Sequence, residues 1–236
     1  MHRVAPKSAP IGVLRKMNVG KSLEDVRGDP PAIARSATPQ DLVITSRNRH
    51  FGGCDMLRSH WLGGDPYGTA FFNALSVTFP QGETFFITVL KAYINKTPEK
   101  LSKEIRAFIH QEAVHSREHI GFNEQIKQAN YDITPLEQRL AEVMERIKTR
   151  SATDQLIATI CLEHLTAILA REFIANPAHL KDADEDQRNL WLWHASEEIE
   201  HKGVAYDTWL YVTKDWNRLR RWAAKSVFMA KISSGF

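Results

Sequence analysis

The run Trp193-His194-Ala195-Ser196-Glu197-Glu198-Ile199-Glu200-His201 sets His194, Glu198 and His201 at i, i+4 and i+7. A helix advances about 100° per residue, so these three fall in one narrow stripe that offers imidazole, carboxylate and imidazole in successive turns. Such a face cannot simply be buried dry. An unpaired buried carboxylate or imidazole costs several kcal/mol, so a stripe turned toward a core demands a metal or dense hydrogen bonding from neighbouring elements. A second stripe occurs in Gln111-Glu112-Ala113-Val114-His115, where Glu112 and His115 stand at i, i+3, and His119 follows one turn on. Two lone glutamates complete the set: Glu83 in Phe79-Pro80-Gln81-Gly82-Glu83-Thr84-Phe85-Phe86, and Glu163 in Ile160-Cys161-Leu162-Glu163-His164-Leu165. Two Glu-x-x-His pairs alone are close to what chance placement gives. The order carries the inference: lone Glu, Glu-x-x-His, lone Glu, Glu-x-x-His, one per helix, as in two-metal carboxylate bundles.

The remaining punctuation agrees with an all-α chain. The first 40 residues hold Pro6, Pro10, Pro30, Pro31 and Pro39 with no sustained period, and read as a flexible lead-in. Asp65-Pro66 is an N-cap with a first-turn proline ahead of a helix over 67–79, which Pro80-Gln81-Gly82 is expected to interrupt before it resumes over 83–94. Thr97-Pro98 opens a helix to about Gln128. Thr134-Pro135-Leu136-Glu137 reads as a capping box for a helix to about Lys148, and Ser151 caps another through Ala175, stopped by Asn176-Pro177. A box-like start at Asp184 to Gln187 leads to a helix reaching about Thr213. No segment alternates convincingly as a strand does. Five or more helices with short connections predict an antiparallel bundle over 41–213 with additional helices.

Composition narrows the partners. Residues 1–49 carry nine Lys/Arg against four Asp/Glu and residues 214–236 six against one, so each end is +5; with a net charge of +3 the middle is −7. No basic stripe interleaved with aromatics runs through the central part, which disfavours nucleic acid. No apolar run approaches the ~18 residues that span a bilayer, and the N-terminus lacks a secretory pattern. The two cysteines, Cys54 and Cys161, have no metal-binding spacing and suit a reducing, cytoplasmic setting. Lys214 to Phe236 mixes Trp216, Leu219, Trp222, Val227, Phe228 and Met229 with six basic side chains. Packing on the bundle is the favoured expectation, and peripheral contact with the anionic inner membrane face is the alternative.

Iron suits the predicted site. Four carboxylates balance two ferrous ions while neutral histidines add no charge, so the reduced centre can be buried without net charge. Mixed carboxylate and imidazole ligation also admits manganese or zinc. His119 and Glu197 are expected just outside the ligands, as hydrogen-bonding partners or solvent-facing groups, and His164 off the ligand face.

Over residues 40–230, the segments Gly64-Asp65-Pro66, Phe72-Asn73-Ala74-Leu75-Ser76, Phe79-Pro80, Gly82-Glu83 and Gln111-Glu112 resemble the bacterial family labelled predicted metal-dependent hydrolase. The ligand pattern is similar to that of the p-aminobenzoate N-oxygenase family of di-iron enzymes, with its His-x-x-x-Glu-x-x-His on the last site helix. That resemblance implies a ferritin-like bundle and seven protein ligands: Glu83, Glu112, His115, Glu163, His194, Glu198 and His201. It carries no substrate with it. The expectation is therefore an enzyme that activates O2 at two iron ions to oxidise a small molecule, with a two-metal hydrolase as the alternative and a non-enzymatic membrane-docking module as the third reading. A homodimer is compatible with all three. The aromatics around Glu83 and the tryptophans at 191 and 193 are expected in the core more than in a substrate pocket.

Overall fold

The computed structural model describes residues 38–39, 41–51 and 57–234. The lead-in expected over 1–40 lies almost wholly outside them, as does Cys54. The elements are α1 (Pro66–Lys91), α2 (Glu99–Gln128), α3 (Thr134–Lys148), α4 (Ala152–Ala175), a 3-10 turn (Pro177–His179), α5 (Glu185–His201), α6 (Val204–Val212) and α7 (Arg218–Ser233). The fold is all-α. Among the described residues the only pairing outside helices is an isolated bridge between Leu62 and Ala183, and no helix is long and apolar enough to cross a membrane.

Two apolar clusters set the topology. One gathers Phe85, Val89, Leu90, Ile105, Phe108, Leu156, Ile157 and Trp209. The other gathers Trp61, Phe72, Val77, Val114, Phe122, Ile126, Phe173 and Trp191. α1 runs from the second cluster to the first, whereas α2 and α4 run from the first to the second. α3, with Leu136 packed against the second and Ile147 against the first, is the crossover that lets α2 and α4 point the same way. α5 starts in the second cluster and α6 ends in the first. The Glu/His stripes occupy the helix segments between the two clusters, so burying both apolar ends forces the polar middle together.

Several helix boundaries depart from expectation. α1 passes through Pro80 without a break. Proline has no N–H to give the carbonyl four residues back; that carbonyl, on Ser76, accepts instead from the Asn123 side-chain amide at 3.4 Å. The helix expected to reach Thr213 is divided by a two-residue turn at Lys202-Gly203, where both residues keep right-handed helical torsions. Thr134 does not cap α3. Ile133 is the cap residue, and the Thr134 N–H donates to Asp132 Oδ1 at 3.0 Å. Asp184 starts α5 without a side-chain cap because Arg58 claims its carboxylate, with Nε donating to Oδ2 at 2.9 Å. Asp65 and Ser151 do cap, accepting from the N–H groups of Tyr67 and Asp154. The turn entering α1 uses Gly63 and Gly64 at φ +57° and +87°, backbone that side-chain-bearing residues rarely adopt.

α7 packs on the first cluster through Ala224, Phe228, Met229 and Ile232, while Leu219, Trp222 and Val227 remain exposed. At about 1 kcal/mol for each half-buried apolar group, a chain ending at Asn217 should lose about 4 kcal/mol and melt about 8–16 °C lower by circular dichroism. An unchanged melting temperature would mean that α7 is appended to the fold and not part of it.

Candidate metal centre

The seven residues singled out in the sequence converge from four helices. Glu83 comes from α1, Glu112 and His115 from α2, Glu163 from α4, and His194, Glu198 and His201 from α5. None is more than 4 % exposed. Their ligand-type atoms form three overlapping groups, each within 4.8 Å: Glu83, His115 and His194; Glu112, His115 and Glu198; Glu112, Glu163 and His201. The first and third groups share no residue, so the box has two ends. The second group links them, sharing His115 with one end and Glu112 with the other, and Glu198 belongs to neither end.

Spacing inside the box matches that of donors around an ion. His194 Nε2 lies 3.1 Å from Glu198 Oε1 and 3.6 Å from Glu83 Oε1; His201 Nε2 lies 3.1 Å from Glu112 Oε1, 3.3 Å from Glu198 Oε1 and 3.5 Å from Glu163 Oε2. Donors that sit about 2.0–2.2 Å from one ion are about 3–3.5 Å from each other. Both carboxylate oxygens of Glu83, Glu112 and Glu163, together with His115 Nδ1 and His201 Nε2, are buried without a hydrogen-bond partner. Eight such orphans around one point fit a group that could hold a cation, because each left unpaired costs about 1–3 kcal/mol.

The outer bonds of the histidines fix which nitrogen faces inward. His115 Nε2 donates to Glu197 Oε2 at 3.1 Å, since a carboxylate oxygen only accepts, and Nδ1 is left bare toward the box. Gln111 Nε2 donates to Thr45 O and to Glu200 Oε2, both at 3.1 Å, so its Oε1 accepts from His201 Nδ1 at 3.1 Å and bares His201 Nε2. His194 Nδ1 meets His119 Nε2 at 2.7 Å. An aromatic ring packs on each imidazole: Phe79 on His194 at 4.5 Å between centroids, Trp193 on His115 at 4.8 Å and Phe108 on His201 at 4.6 Å.

A strap from the N-terminal side closes this outer layer. Arg47 donates to Glu197 Oε1 at 3.0 Å and to Glu200 Oε1 at 2.6 Å, and Trp193 Nε1 adds a bond to Glu197 Oε1 at 3.1 Å. Phe51 N donates to Glu118 Oε2 at 2.6 Å. On α4, Thr166 Oγ1 donates to Glu198 Oε2 at 2.8 Å.

Burial dominates the electrostatics. It pushes Glu83, Glu112 and Glu163 well above the usual carboxylate range, and neighbouring glutamates push in the same direction. Burial also acts upward on Glu198, but His201 and His194 beside it hold it well below. His115 and His119 are driven down by burial and then by His194, which keeps both neutral. Without a cation the box cannot hold all four carboxylates charged.

His119 is bonded to His194 and Glu197 to His115. His164 is exposed and turned away. Gln111, Thr166, Arg47, Ser76 and Asn123 carry roles that the sequence reading did not assign. For Gln111 a signal existed, since Gln111, His115 and His119 continue one stripe at i, i+4 and i+8. Thr166 stands one turn from Glu163. Arg47 is about 150 residues from its partners, and nothing local marks it.

A cavity of about 20 Å³ touches the box at His194 and Glu198, walled by Leu75, Phe79, Leu169 and Trp191. A larger cavity, about 750 Å³, lies on the opposite faces of α4 and α5 among Ile160, His164, Ile199 and Trp222, and none of the seven residues lines it. Residues 45–235 match the family model described as predicted metal-dependent hydrolase. No curated protein and no solved structure matches the chain.

Proposed function

From the premise that this chain belongs to the predicted metal-dependent hydrolase family, we propose that it is a metal-dependent enzyme whose seven buried Glu and His residues hold two ions. Glu83, His115 and His194 serve one end, Glu112, Glu163 and His201 the other, and Glu198 lies between. The charge argument favours divalent ions, since two of them balance four carboxylates in a dry box. Iron is the proposed occupant, with manganese or zinc as occupants the same donors accept. The four-helix arrangement with its α3 crossover supports a ferritin-like reading of the bundle.

The proposed chemistry is O2-dependent oxidation of a small molecule, and the observation that carries it is the cavity at His194 and Glu198. Its volume of about 20 Å³ admits roughly one water-sized molecule. Its wall is apolar, and no Lys or Arg lines it. That size and polarity suit a neutral diatomic gas better than an ester or phosphate, whose reaction needs donors aimed at developing negative charge. Two iron ions, when bound, supply the electrons and open coordination positions for oxygen chemistry. The chain's own contribution is positional. Glu197 and Gln111 aim His115 and His201, Thr166 holds one oxygen of Glu198, and Phe79, Trp191 and Phe173 exclude water.

Metal-dependent hydrolysis is the second reading, favoured by the family description itself. The two separate under one experiment. Protein loaded anaerobically with ferrous iron should consume O2 stoichiometrically on exposure and develop new near-ultraviolet absorption, and it should leave p-nitrophenyl acetate and p-nitrophenyl phosphate intact. No O2 uptake, together with anaerobic release of p-nitrophenol by the iron-, manganese- or zinc-loaded protein, would replace the oxidative reading with the hydrolytic one.

A further inference from the structure

The orientation of His194 can be followed through four side chains to a proline. Pro80 leaves the Ser76 carbonyl without its helical donor, and Asn123 Nδ2 supplies one at 3.4 Å. The opposite amide orientation would set the Asn123 oxygen against that carbonyl, acceptor against acceptor. With Nδ2 placed there, Asn123 Oδ1 faces the Ser76 hydroxyl at 2.7 Å. An amide oxygen only accepts, so the single hydroxyl hydrogen of Ser76 is committed to Asn123. Ser76 Oγ can then only accept from the ring nitrogen on its other side, His119 Nδ1 at 2.8 Å. A neutral imidazole has one N–H, so His119 Nε2 is an acceptor, and His194 Nδ1 donates to it across 2.7 Å. His194 Nε2 is thereby bare. It faces Glu198 Oε1 at 3.1 Å and Glu83 Oε1 at 3.6 Å, a contact between acceptors that a carboxyl proton or a cation makes favourable.

We propose that Asn123, acting through Ser76 and His119, is a positioning residue that holds His194 in the form whose Nε2 lone pair faces the metal box. The line is closed to substitutes. Ser76 and His119 are fully buried, Asn123 is 5 % exposed and His194 2 %, so bulk water does not reach any of these bonds. Phe79 and Trp191 pack on the His119 ring at 4.7 and 5.2 Å between centroids, which leaves it no room to turn over. His115 and His201 are each directed by one neighbour, whereas His194 is directed through His119, Ser76 and Asn123 in turn. The inference concerns a ligand and so rests on the reading that the box binds metal, but its central claim can be measured without metal.

The test uses the full chain, metal-free and then with zinc as a diamagnetic probe. Long-range proton–nitrogen NMR of the metal-free protein should show His194 with hydrogen on Nδ1 and a bare Nε2. Ser76→Ala and Asn123→Ala should each move that hydrogen to Nε2 or split it between the two, and should weaken zinc binding, measured by chelator competition, by about 10- to 100-fold. Ser76→Thr, which keeps the hydroxyl, should restore both readouts. Loss of packing alone would not exchange ring hydrogens, so the NMR result separates positioning from a structural role. Hydrogen on His194 Nε2 in the unaltered protein overturns the proposal, as do variants that keep the wild-type hydrogen position and affinity. If one variant fails to fold, the other and the wild-type spectrum still decide. A wild-type chain that shows the expected hydrogen positions yet takes up no zinc, iron or manganese defeats the metal reading and leaves the hydrogen-bond line standing.

Discussion

Purified from cells supplied with iron, the protein should carry about two metal ions per chain, and stripping them should lower its melting temperature by about 15–30 °C. A ligand present at about a thousand times its dissociation constant contributes about 4 kcal/mol per site, and each kcal/mol moves the midpoint of a domain this size by about 2–4 °C. The stripped protein should also respond to pH differently from the loaded one. Burial raises Glu83, Glu112 and Glu163 above the ordinary value of 4.5. Their contribution to stability is complete below that value, where they are protonated in both states, and is lost as pH climbs through the raised folded values. Glu198, held down by His201 and His194 against the upward effect of its burial, contributes above 4.5 and loses that contribution as pH falls through its lowered value. His115 and His119, driven down by burial, contribute fully only above the ordinary 6.5, so above that value only the three glutamates are left to titrate. Urea midpoints of chelator-treated protein should therefore fall as pH climbs from 7 to 9, whereas those of loaded protein should not, because metal binding requires deprotonated carboxylates. A metal-free, fully stable protein with flat pH dependence would remove the basis for the metal centre.

The second large effect belongs to Glu198. Its Oε1 lies 3.1 Å from His194 Nε2, 3.3 Å from His201 Nε2 and 3.9 Å from His115 Nδ1, so one atom borders all three imidazoles. Glu198→Gln keeps the shape and removes one of the four charges that balance two ions. Unbalancing a buried charge set costs about 3–5 kcal/mol, which lowers metal affinity by about two to four orders of magnitude. Metal analysis after gel filtration should find both ions lost. Glu83→Gln, at one end of the box, should leave about one ion, and His164→Ala, outside it, should leave both. If Glu198→Gln and His164→Ala retain equal metal, Glu198 does not lie between two ions.

The seven residues of the box were legible in the sequence because helical geometry converts spacing into a face. His194, Glu198 and His201 need only α5 to be aligned, and Glu112 and His115 only α2. What crosses between helices was not legible. Gln111, Ser76 and Asn123 are ordinary polar residues until a neighbouring helix brings them a partner, and the direction of a hydrogen bond is written in no local pattern. Pro80 illustrates the same limit. Locally a proline ends a helix, but Asn123, over forty residues away on α2, takes up the bond it forfeits, and α1 continues. The break at Lys202-Gly203 went unread for the converse reason, since the pattern on either side continues one helical phase. Capping at Thr134 and Asp184 was misread where a nearer side chain claimed the group: Asp132 in the first case, Arg58 in the second.

The position of α5 near the end of the domain governs how the protein is made. On the ribosome α1, α2 and α4 emerge first, presenting Glu83, Glu112, His115 and Glu163 in a half-built box that water can enter. Only when α5 follows do His194, Glu198 and His201 arrive, together with the Glu197 and Glu200 that the Arg47 strap has been waiting for since the start of synthesis. A nascent chain therefore lacks the complete set of seven side chains, and any ion that needs all of them can be bound only after α5 has left the ribosome.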